Sequence, residues 1–342
     1  MIANSALDLI GNTPLVRLSR LTADLGLSAE ILGKLEKTNP GGSIKDRIAL
    51  AILRDAEARG QLQPNGTVIE ATSGNTGVGL AMAGALLGYR VILTMPENMS
   101  RERILLFAAY GAEVELTPKA LGMQGAVDRA LALAAEIPNS FLTRQFENPA
   151  NPNAHAGATA REIVADLGRV PDVFVSAIGT GGTVSGVGRA LRELEGDSGD
   201  GDSGDGSPVT AVTERTVPLS PSVPLSPPIP PREGVWIVGV EPAESPLLTK
   251  GTAGPHGIQG TGANFVPQNL DRDILSEVIA VSTEQAKMAM RELARVEGLF
   301  CGISSGAAVF AALTLARQTK WQDKTIVVIL PDTGERYLSL SD

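Results

Sequence analysis

The chain of 342 residues is longer than one typical domain, and 43% of its residues are hydrophobic, enough to bury a substantial core. A net charge of -9 and only two tryptophans argue against a nucleic-acid-binding surface, and the single cysteine, Cys301, excludes an intrachain disulfide. With only two histidines, we expect no metal centre. The longest apolar run, 78–87, is too short to cross a bilayer, and Asp8 interrupts the start of the chain as a secretory signal. We therefore expect a cytoplasmic protein that does not bind membranes.

Short β-branched runs alternate with helical patterns through most of the chain. The runs are, in order, "TVIE", "RVILTM", "AEVEL", "DVFVSAI", "VWIVGVE" and "TIVVIL". This alternation predicts an α/β fold with mostly parallel sheets flanked by helices, and the length predicts two lobes. Ligands of such folds gather at the carboxyl ends of the strands, where the glycine-rich turns of this chain fall.

Residues 197–233 break the alternation with "DSGDGDSGDG" and a near-duplicated "VPLSPS" and "VPLSPP". A segment so rich in Pro, Gly, Ser and Asp buries too little apolar surface to order itself, so we expect a disordered, low-complexity insertion. A tolerated loop expansion is the simpler interpretation, and a docking site for a partner that recognises proline motifs is the alternative.

The first chemical motif is "NPGGSIKDR", residues 39–47. Ser43, followed three residues later by Asp46, predicts a capped helix start with Lys45 in its first turn. The positive end of the helix dipole disfavours a cation there. The dipole and Arg47 would lower the pKa of Lys45, which suits an amine that reacts as a nucleophile. The alternative is an exposed lysine paired with an acid.

Two further motifs join a predicted strand to a predicted helix. "EATSGNTG", residues 70–77, offers hydroxyls, an amide and free N–H groups for a small anion such as a carboxylate, although ordinary N-capping by Ser73 or Asn75 is equally compatible.

The second of these motifs, "GTGGT", Gly179–Thr183, can wrap a phosphate. Val184 replaces the third glycine of a dinucleotide-binding fingerprint and no P-loop lysine follows, which leaves a monophosphate cradle or a plain tight turn. "CGISSGAA", residues 301–308, places hydroxyls at another helix start and by itself indicates no more than a cap.

Taken together, these motifs resemble the cysteine synthase (O-acetylserine sulfhydrylase) branch of the fold-type II pyridoxal-phosphate enzymes. "IGNTPLV", "QFENPANPNAH", "GIQGTGANFVPQNLD" and "LPDTGERYLS" extend the resemblance over nearly the whole chain apart from the insertion. It implies a two-lobed fold like that of the tryptophan synthase β subunit. Residues 1–149 would form the N-terminal lobe, with the first ~35 residues crossing to the other lobe, and residues 150–342 the C-terminal lobe.

The resemblance also implies a role for each matching residue. Lys45 would hold the cofactor as an internal aldimine and then move the substrate α-proton, Asn75 would bind the ring hydroxyl, and Ser304 would meet the pyridine nitrogen. The cofactor phosphate would lie in the cradle formed by Gly179, Thr180, Gly181, Gly182 and Thr183. The substrate carboxylate would be bound by Thr72, Ser73, Thr76 and Gln145. We expect Cys301 to be a small buried hydrophobe near these groups.

The implied reaction eliminates acetate from O-acetyl-L-serine to give an α-aminoacrylate, which adds sulfide to form L-cysteine. A neutral serine at the pyridine nitrogen favours β-elimination over transamination. A cystathionine β-synthase, an O-phosphoserine sulfhydrylase and a cyanoalanine synthase stay open as alternatives, because one sequence does not show the details of the pocket. The family is usually homodimeric, and some members bind the C-terminal tail of serine acetyltransferase. A catalytically idle partner of that acetyltransferase is the alternative from a different class.

Overall fold

A computed structural model describes residues 2–99, 101–197 and 234–340 of the chain. The predicted insertion, residues 197–233, lies outside the described residues apart from Asp197. The strands described are β1 (Leu15–Arg17), β2 (Glu30–Leu35), β3 (Thr67–Ala71), β4 (Arg90–Pro96), β5 (Glu113–Thr117), β6 (Ser140–Leu142), β7 (Val173–Ala177), β8 (Trp236–Pro242), β9 (Glu277–Val281) and β10 (Thr325–Leu330).

The helices described are α1 (Ser19–Asp24), α2 (Lys45–Ala58), α3 (Asn75–Leu87), α4 (Arg101–Ala109), α5 (Gly122–Glu136), α6 (Ala150–Ala154), α7 (Ala160–Leu167), α8 (Gly182–Asp197), α9 (Leu247–Lys250), α10 (Thr283–Glu297) and α11 (Ile303–Ala316). A π-helical turn, His155–Thr159, joins α6 to α7. Each of the six runs that predicted strands coincides with a strand to within one residue at either end, and the predicted α/β class is confirmed.

The strands form two sheets. The larger has the order β1-β2-β10-β7-β8-β9 and the smaller the order β5-β4-β3-β6. All neighbours run parallel except β1, which pairs antiparallel with β2. Parallel strands need crossover helices, and these cover both faces of the inner strands, which explains why β3, β7 and β10 are buried along almost their whole length.

The central strand of the larger sheet shows how its two faces are buried. Ile326 and Val328 of β10 point into a core shared with α10 and α11, whereas Val327 and Ile329 point into a second core shared with α7 and α8. This alternation is the period of two expected of a strand. All six residues of β10 are buried, so packing on both faces fixes the position of the strand's carboxyl end, from which Pro331 and Asp332 continue.

The smaller sheet is covered in the same way. Val68 of β3 packs with α2, α3 and α4, whereas Ile69 packs with α5 on the opposite face. The start of the chain belongs to the other sheet, because β2 pairs with β10 in the register Ile31↔Ile326. Residues 36–44 therefore run from the larger sheet to α2, which packs against β3 of the smaller sheet and begins at Lys45. The lobe boundary at residues 149 and 150 stays a prediction.

Candidate active site

A cleft of about 520 Å³, open to solvent, lies between the carboxyl ends of β7 and β10 and the starts of α2, α3, α8 and α11. It is lined by Ile44, Lys45, Asn75, Ser176, Ala177, Gly179, Thr180, Gly181, Thr183, Val184, Gly260, Ser304, Ile329, Pro331 and Asp332. Residues from all four motifs that the sequence singled out therefore meet in one cleft. Thr72, Ser73, Thr76 and Gln145 lie beside it and do not line it.

The helix start at Lys45 differs from the predicted capping box. Helix α2 begins at Lys45, and the residue before it, Ile44, has no polar side chain that could accept from the helix. The Ser43 hydroxyl accepts from the backbone N–H of Lys45 at 3.2 Å, but Asp46 does not reach back to Ser43. Its carboxylate accepts instead from the N–H of Gly41 at 2.6 Å. The prediction was wrong because Asp46 stabilises the glycine turn before the helix and not the helix end itself.

The amine of Lys45 is not paired with an acid among the described residues. In the part of the chain that the structure describes, no carboxylate forms an ion pair with it, which contradicts the alternative of an exposed, paired lysine. Burial lowers the pKa of Lys45 to about 8, and the charge of Asp332 opposes part of that shift. About a tenth of the amine is therefore neutral and nucleophilic at pH 7, roughly 300 times more than for a lysine with the ordinary pKa of 10.5.

Arg47 does not contribute to this shift, and that part of the prediction was wrong. Its Nε and Nη2 donate to Glu36 at 2.7 and 2.9 Å, and its Nη1 and Nη2 donate to Glu162 at 2.7 Å each. Glu36 is fully buried, and Lys34 reaches Glu162 at 3.0 Å. The guanidinium thus joins the helix that carries Lys45 to the end of β2 and to α7.

The glycine loop, residues 179–183, follows β7 and ends in the first turn of α8. Gly181 has a φ of +79°, and a Cβ there would lie 2.7 Å from Cβ and 2.8 Å from the backbone nitrogen of Leu270. Glycine is required at this position by both conformation and space. Gly179, Thr180, Gly181 and Thr183 line the cleft, whereas Gly182 does not, and its N–H lies 3.4 Å from the Thr180 hydroxyl. The first N–H groups of a helix have no carbonyl partner within the helix, which is the feature that an anion site uses, and the phosphate cradle stays a prediction.

Neutral buried groups support the glycine loop from behind. Asn151 Nδ2 donates to the Thr180 hydroxyl at 3.0 Å, and the Thr183 hydroxyl lies 3.2 Å from His155 Nε2. His155 Nδ1 lies 3.0 Å from the hydroxyl of Thr159, within the π-helical turn. Burial, aided by the charge of Lys45, lowers the pKa of His155 well below its usual value, so the imidazole is neutral.

Among the described residues, no side chain caps the start of α3, although the sequence allowed capping by Ser73 or Asn75. The helix begins at Asn75 after Gly74, and neither Ser73 nor Asn75 makes a capping hydrogen bond. The Thr76 hydroxyl donates to Gln145 Oε1 at 2.5 Å, and Thr72 accepts from the N–H of Gly74 at 3.1 Å. The unbonded N–H groups of the first turn therefore remain available to a small anion.

Helix α11 brings the last predicted residue to the cleft. Ser304 is buried, and within the described residues its hydroxyl has no hydrogen-bond partner, so it can meet a polar atom in the cleft. Gly302 precedes the helix without a side-chain cap, so Ser304 is not a capping residue. Cys301 is fully buried, as expected, and burial raises the pKa of its thiol to about 12. This thiol is a packing group and not a nucleophile.

Residues just after β10 also belong to the site, although their sequence motif by itself predicted no role for them. Asp332 lines the cleft, accepts from Asn75 Nδ2 at 2.6 Å and accepts from the hydroxyl of Tyr337. Arg336 donates to Asn75 Oδ1 and to the carbonyl of Gly41. The signal was present, because "PDTGER" follows the carboxyl end of a predicted central strand, where ligands of α/β folds bind.

A pyridoxal phosphate molecule fits this set of groups. The cleft offers one reactive amine, a glycine loop at a helix start for a phosphate, and the amide of Asn75 and hydroxyl of Ser304 for polar atoms of a ring. Among residues 2–99, 101–197 and 234–340 there is no group of three or more His, Cys, Asp or Glu that could hold a metal ion. None of the helices in those ranges has the length and apolar character to span a membrane.

Comparison with known proteins identifies the family. The family described as "Pyridoxal-phosphate dependent enzyme" matches residues 6–223 and 228–332. Cysteine synthase B of Campylobacter jejuni is 45% identical over 332 residues, which cover 97% of this chain and 96% of that protein. The crystal structure of cysteine synthase from Entamoeba histolytica is similar with a TM-score of 0.86 at 39% identity, and the match covers 99% of this chain and 90% of that one. An O-ureido-L-serine synthase is similar with a TM-score of 0.84 at 39% identity, covering 99% and 93% of the two chains. The chain therefore belongs to the cysteine synthase family of pyridoxal-phosphate-dependent enzymes.

Proposed function

We propose that this protein forms L-cysteine from O-acetyl-L-serine and sulfide. One observation carries the proposal: the amine of Lys45, the glycine loop and the hydroxyl of Ser304 line a single cleft in a chain of the cysteine synthase family. Bound pyridoxal phosphate supplies an electron sink for the carbanion that forms when the α-proton leaves. The other tasks fall to the chain itself, namely binding the cofactor, orienting the substrate and moving the proton.

The cofactor is held from several sides in this proposal. Lys45 would attach it through the amine, and its phosphate would lie in the glycine loop, of which Gly179, Thr180, Gly181 and Thr183 line the cleft and Gly182 is the neighbouring residue. Asn75 would donate to its ring hydroxyl, and Ser304 would meet its ring nitrogen, since both side chains line the same cleft. A serine hydroxyl is neutral and cannot keep a proton on that nitrogen as an ionised aspartate would, which favours loss of a β-substituent.

Lys45 also moves the proton. A general base works best when its pKa lies near the operating pH, and burial brings the pKa of Lys45 to about 8. The carboxylate of the amino acid is placed at the start of α3 by Thr72, Ser73, Thr76 and Gln145. The tight Thr76–Gln145 hydrogen bond, 2.5 Å long, supports this placement, because it keeps the two side chains together beside the unbonded N–H groups.

The choice of donor and nucleophile is tested by competition. Purified enzyme loaded with cofactor receives O-acetylserine, O-phosphoserine or serine, each with sulfide, homocysteine or cyanide, and kcat/KM is measured for each pair. We expect O-acetylserine with sulfide to exceed every other pair by at least about tenfold, a difference of about 1.4 kcal/mol. Preference for homocysteine would indicate cystathionine β-synthase chemistry, and preference for the phosphorylated donor would indicate an O-phosphoserine sulfhydrylase.

A homodimer is part of the proposal, and an exposed apolar row supports it. Met123, Val127 and Leu131 recur every four residues along α5 and are 42%, 38% and 44% exposed. Leu121 beside them is 58% exposed. A large apolar patch on a soluble domain is typical of a contact surface. Sedimentation of the wild type and of Val127→Asp measures this directly, and a monomeric wild type would contradict it.

The tail of serine acetyltransferase is a candidate occupant of the cleft, and a peptide of that tail should compete with O-acetylserine if it binds. Tight peptide binding without any turnover of O-acetylserine would favour the catalytically idle alternative. We also propose the cytoplasm as the site of action, which fractionation of the source cells tests.

A further inference from the structure

The amide of Asn75 is held at both ends by the segment that follows β10. Its Nδ2 donates to Asp332 Oδ2 at 2.6 Å, and its Oδ1 accepts from Nη1 of Arg336. Asn75 lies at the start of α3 beside the smaller sheet, whereas Asp332 and Arg336 continue from the larger sheet. The amide thus joins the two parts of the molecule directly beside the cleft.

Arg336 and Asp332 together determine the orientation of the Asn75 amide, that is, which side its oxygen and its nitrogen face. A guanidinium has five donors and no acceptor, so only the amide oxygen can face Arg336. The reverse orientation would place the NH₂ group of Asn75 against Arg336 and its oxygen against the carboxylate of Asp332. The Nδ2 atom carries two protons, and Asp332 accepts one of them. The second proton is left for an acceptor in the cleft that Asn75 lines.

Both partners are fixed in turn. Asp332 is 1% exposed and also accepts from the hydroxyl of Tyr337, which is itself buried. Arg336 also donates to the carbonyl of Gly41, in the turn that precedes Lys45. The backbone strengthens this arrangement, since the N–H of Ile44 donates to Pro331 O at 2.8 Å. The orientation of the amide is therefore set before any ligand binds.

We propose that Arg336 and Asp332 are positioning residues that hold Asn75 as a hydrogen-bond donor toward the cofactor and so lower the pKa of the ring hydroxyl. This inference rests on the proposed function, in which Asn75 meets that hydroxyl. A donor facing the ionised oxygen favours the ionised form, whereas an amide free to rotate would also present its oxygen, which favours the neutral form. Arg336 acts through Asn75, not on the substrate.

A double-mutant cycle tests whether Arg336 acts through Asn75. Arg336→Met, Asn75→Ala and the double variant are purified with cofactor, and two quantities are measured: the cofactor dissociation constant and the pH titration of the bound cofactor's absorption bands. We expect Arg336→Met alone to weaken cofactor binding about tenfold and to raise the pKa of the chromophore by about one unit. In the Asn75→Ala background the same change should have little further effect, because the group through which it acts is gone.

The control is Arg317→Met, which removes an exposed arginine just after α11 and should leave both quantities at the wild-type values. If Arg336→Met does not fold, Arg336→Gln takes its place in the cycle. Asp332→Asn serves as a second probe, although Asp332 also acts on the pKa of Lys45. Equal shifts in both backgrounds, or no shift at all in a variant that binds cofactor, would overturn the inference and leave the proposed function intact. A wild-type protein that does not bind the cofactor would overturn both.

Discussion

The glycine loop and the Lys45 side of the cleft differ in what holds them in place. The glycine loop is built from backbone and supported by neutral groups, namely Asn151, Thr159 and the neutral imidazole of His155. The Lys45 side depends on charges, since Arg47 and Arg336 each join elements from different sheets. We therefore expect substitutions to act on the first region through shape and on the second through charge.

The largest effect that separates the two regions is expected for Lys45→Ala. It removes the amine that attaches the cofactor and moves the proton, so cysteine formation should fall by at least about 10³-fold. The fold should survive, because the side chain makes no ion pair in the described part of the chain. Product assays and circular dichroism measure the two outcomes. Lys250→Ala, at an exposed helix end, is the control and should remain fully active.

Arg47→Met should produce the next largest effect, on stability rather than chemistry. It leaves Glu36 buried without its cation, which costs about 3–5 kcal/mol. Denaturation of the cofactor-loaded enzyme in urea measures the loss. Arg54→Met on the same helix is the matched control, because its ion pair with Glu57 is exposed at the surface and contributes at most about 1 kcal/mol. Equal losses in the two variants would show that the buried network does not stabilise the site.

Gly181→Ala tests the dependence of the glycine loop on shape. An alanine at a φ of +79° costs about 1–2 kcal/mol, and its Cβ would also press on the backbone of Leu270. Because the loop would relax away from its binding conformation, we expect the cofactor dissociation constant to rise about 5- to 30-fold. Gly196→Ala, near the other end of α8, meets no atom within 4 Å and should leave binding unchanged. Unchanged binding in Gly181→Ala would contradict the assigned role of the loop.

The same comparison shows what a single sequence can predict. The glycine loop was predicted because a strand, a glycine run and a helix follow one another within a few residues. The role of Arg336 was not predicted, because Arg336 contacts Asn75, which lies 261 positions earlier in the chain, and a single sequence does not show such distant contacts. The direction of Arg47 was also misjudged, because residues i and i+2 point to nearly opposite sides of a helix.

The strands show the same limit. Strand β2, "EILGKL", was missed because Lys34 and Gly33 interrupt its apolar pattern. Lys34 is nevertheless fully buried, where it pairs with Glu162 and donates to the carbonyl of Thr13. Only the tertiary partner makes a lysine acceptable in the middle of a buried strand.

The smallest expected effect is on the pH dependence of cofactor capture. It distinguishes the contribution of burial to the pKa of Lys45 from the contribution of nearby charges. Only the neutral amine captures the cofactor, and burial places the pKa of Lys45 near 8 instead of 10.5. Between pH 8 and 9 the rate of cofactor capture by cofactor-free enzyme should therefore rise less than about twofold, whereas an unshifted lysine would give about a tenfold rise.

Stopped-flow absorption measures this rate. The reaction of the free cofactor with Nα-acetyl-lysine is the reference, because its side-chain amine has an ordinary pKa and any titration of the cofactor itself affects both reactions. In Asp332→Asn the midpoint should move below pH 8, because the charge of Asp332 raises the pKa of Lys45. In Arg47→Met it should stay in place, because Arg47 faces Glu36 and Glu162. If the pH midpoint moved in Arg47→Met and stayed in place in Asp332→Asn, the charge of Arg47, and not that of Asp332, would set the pKa of Lys45, and this explanation would be wrong.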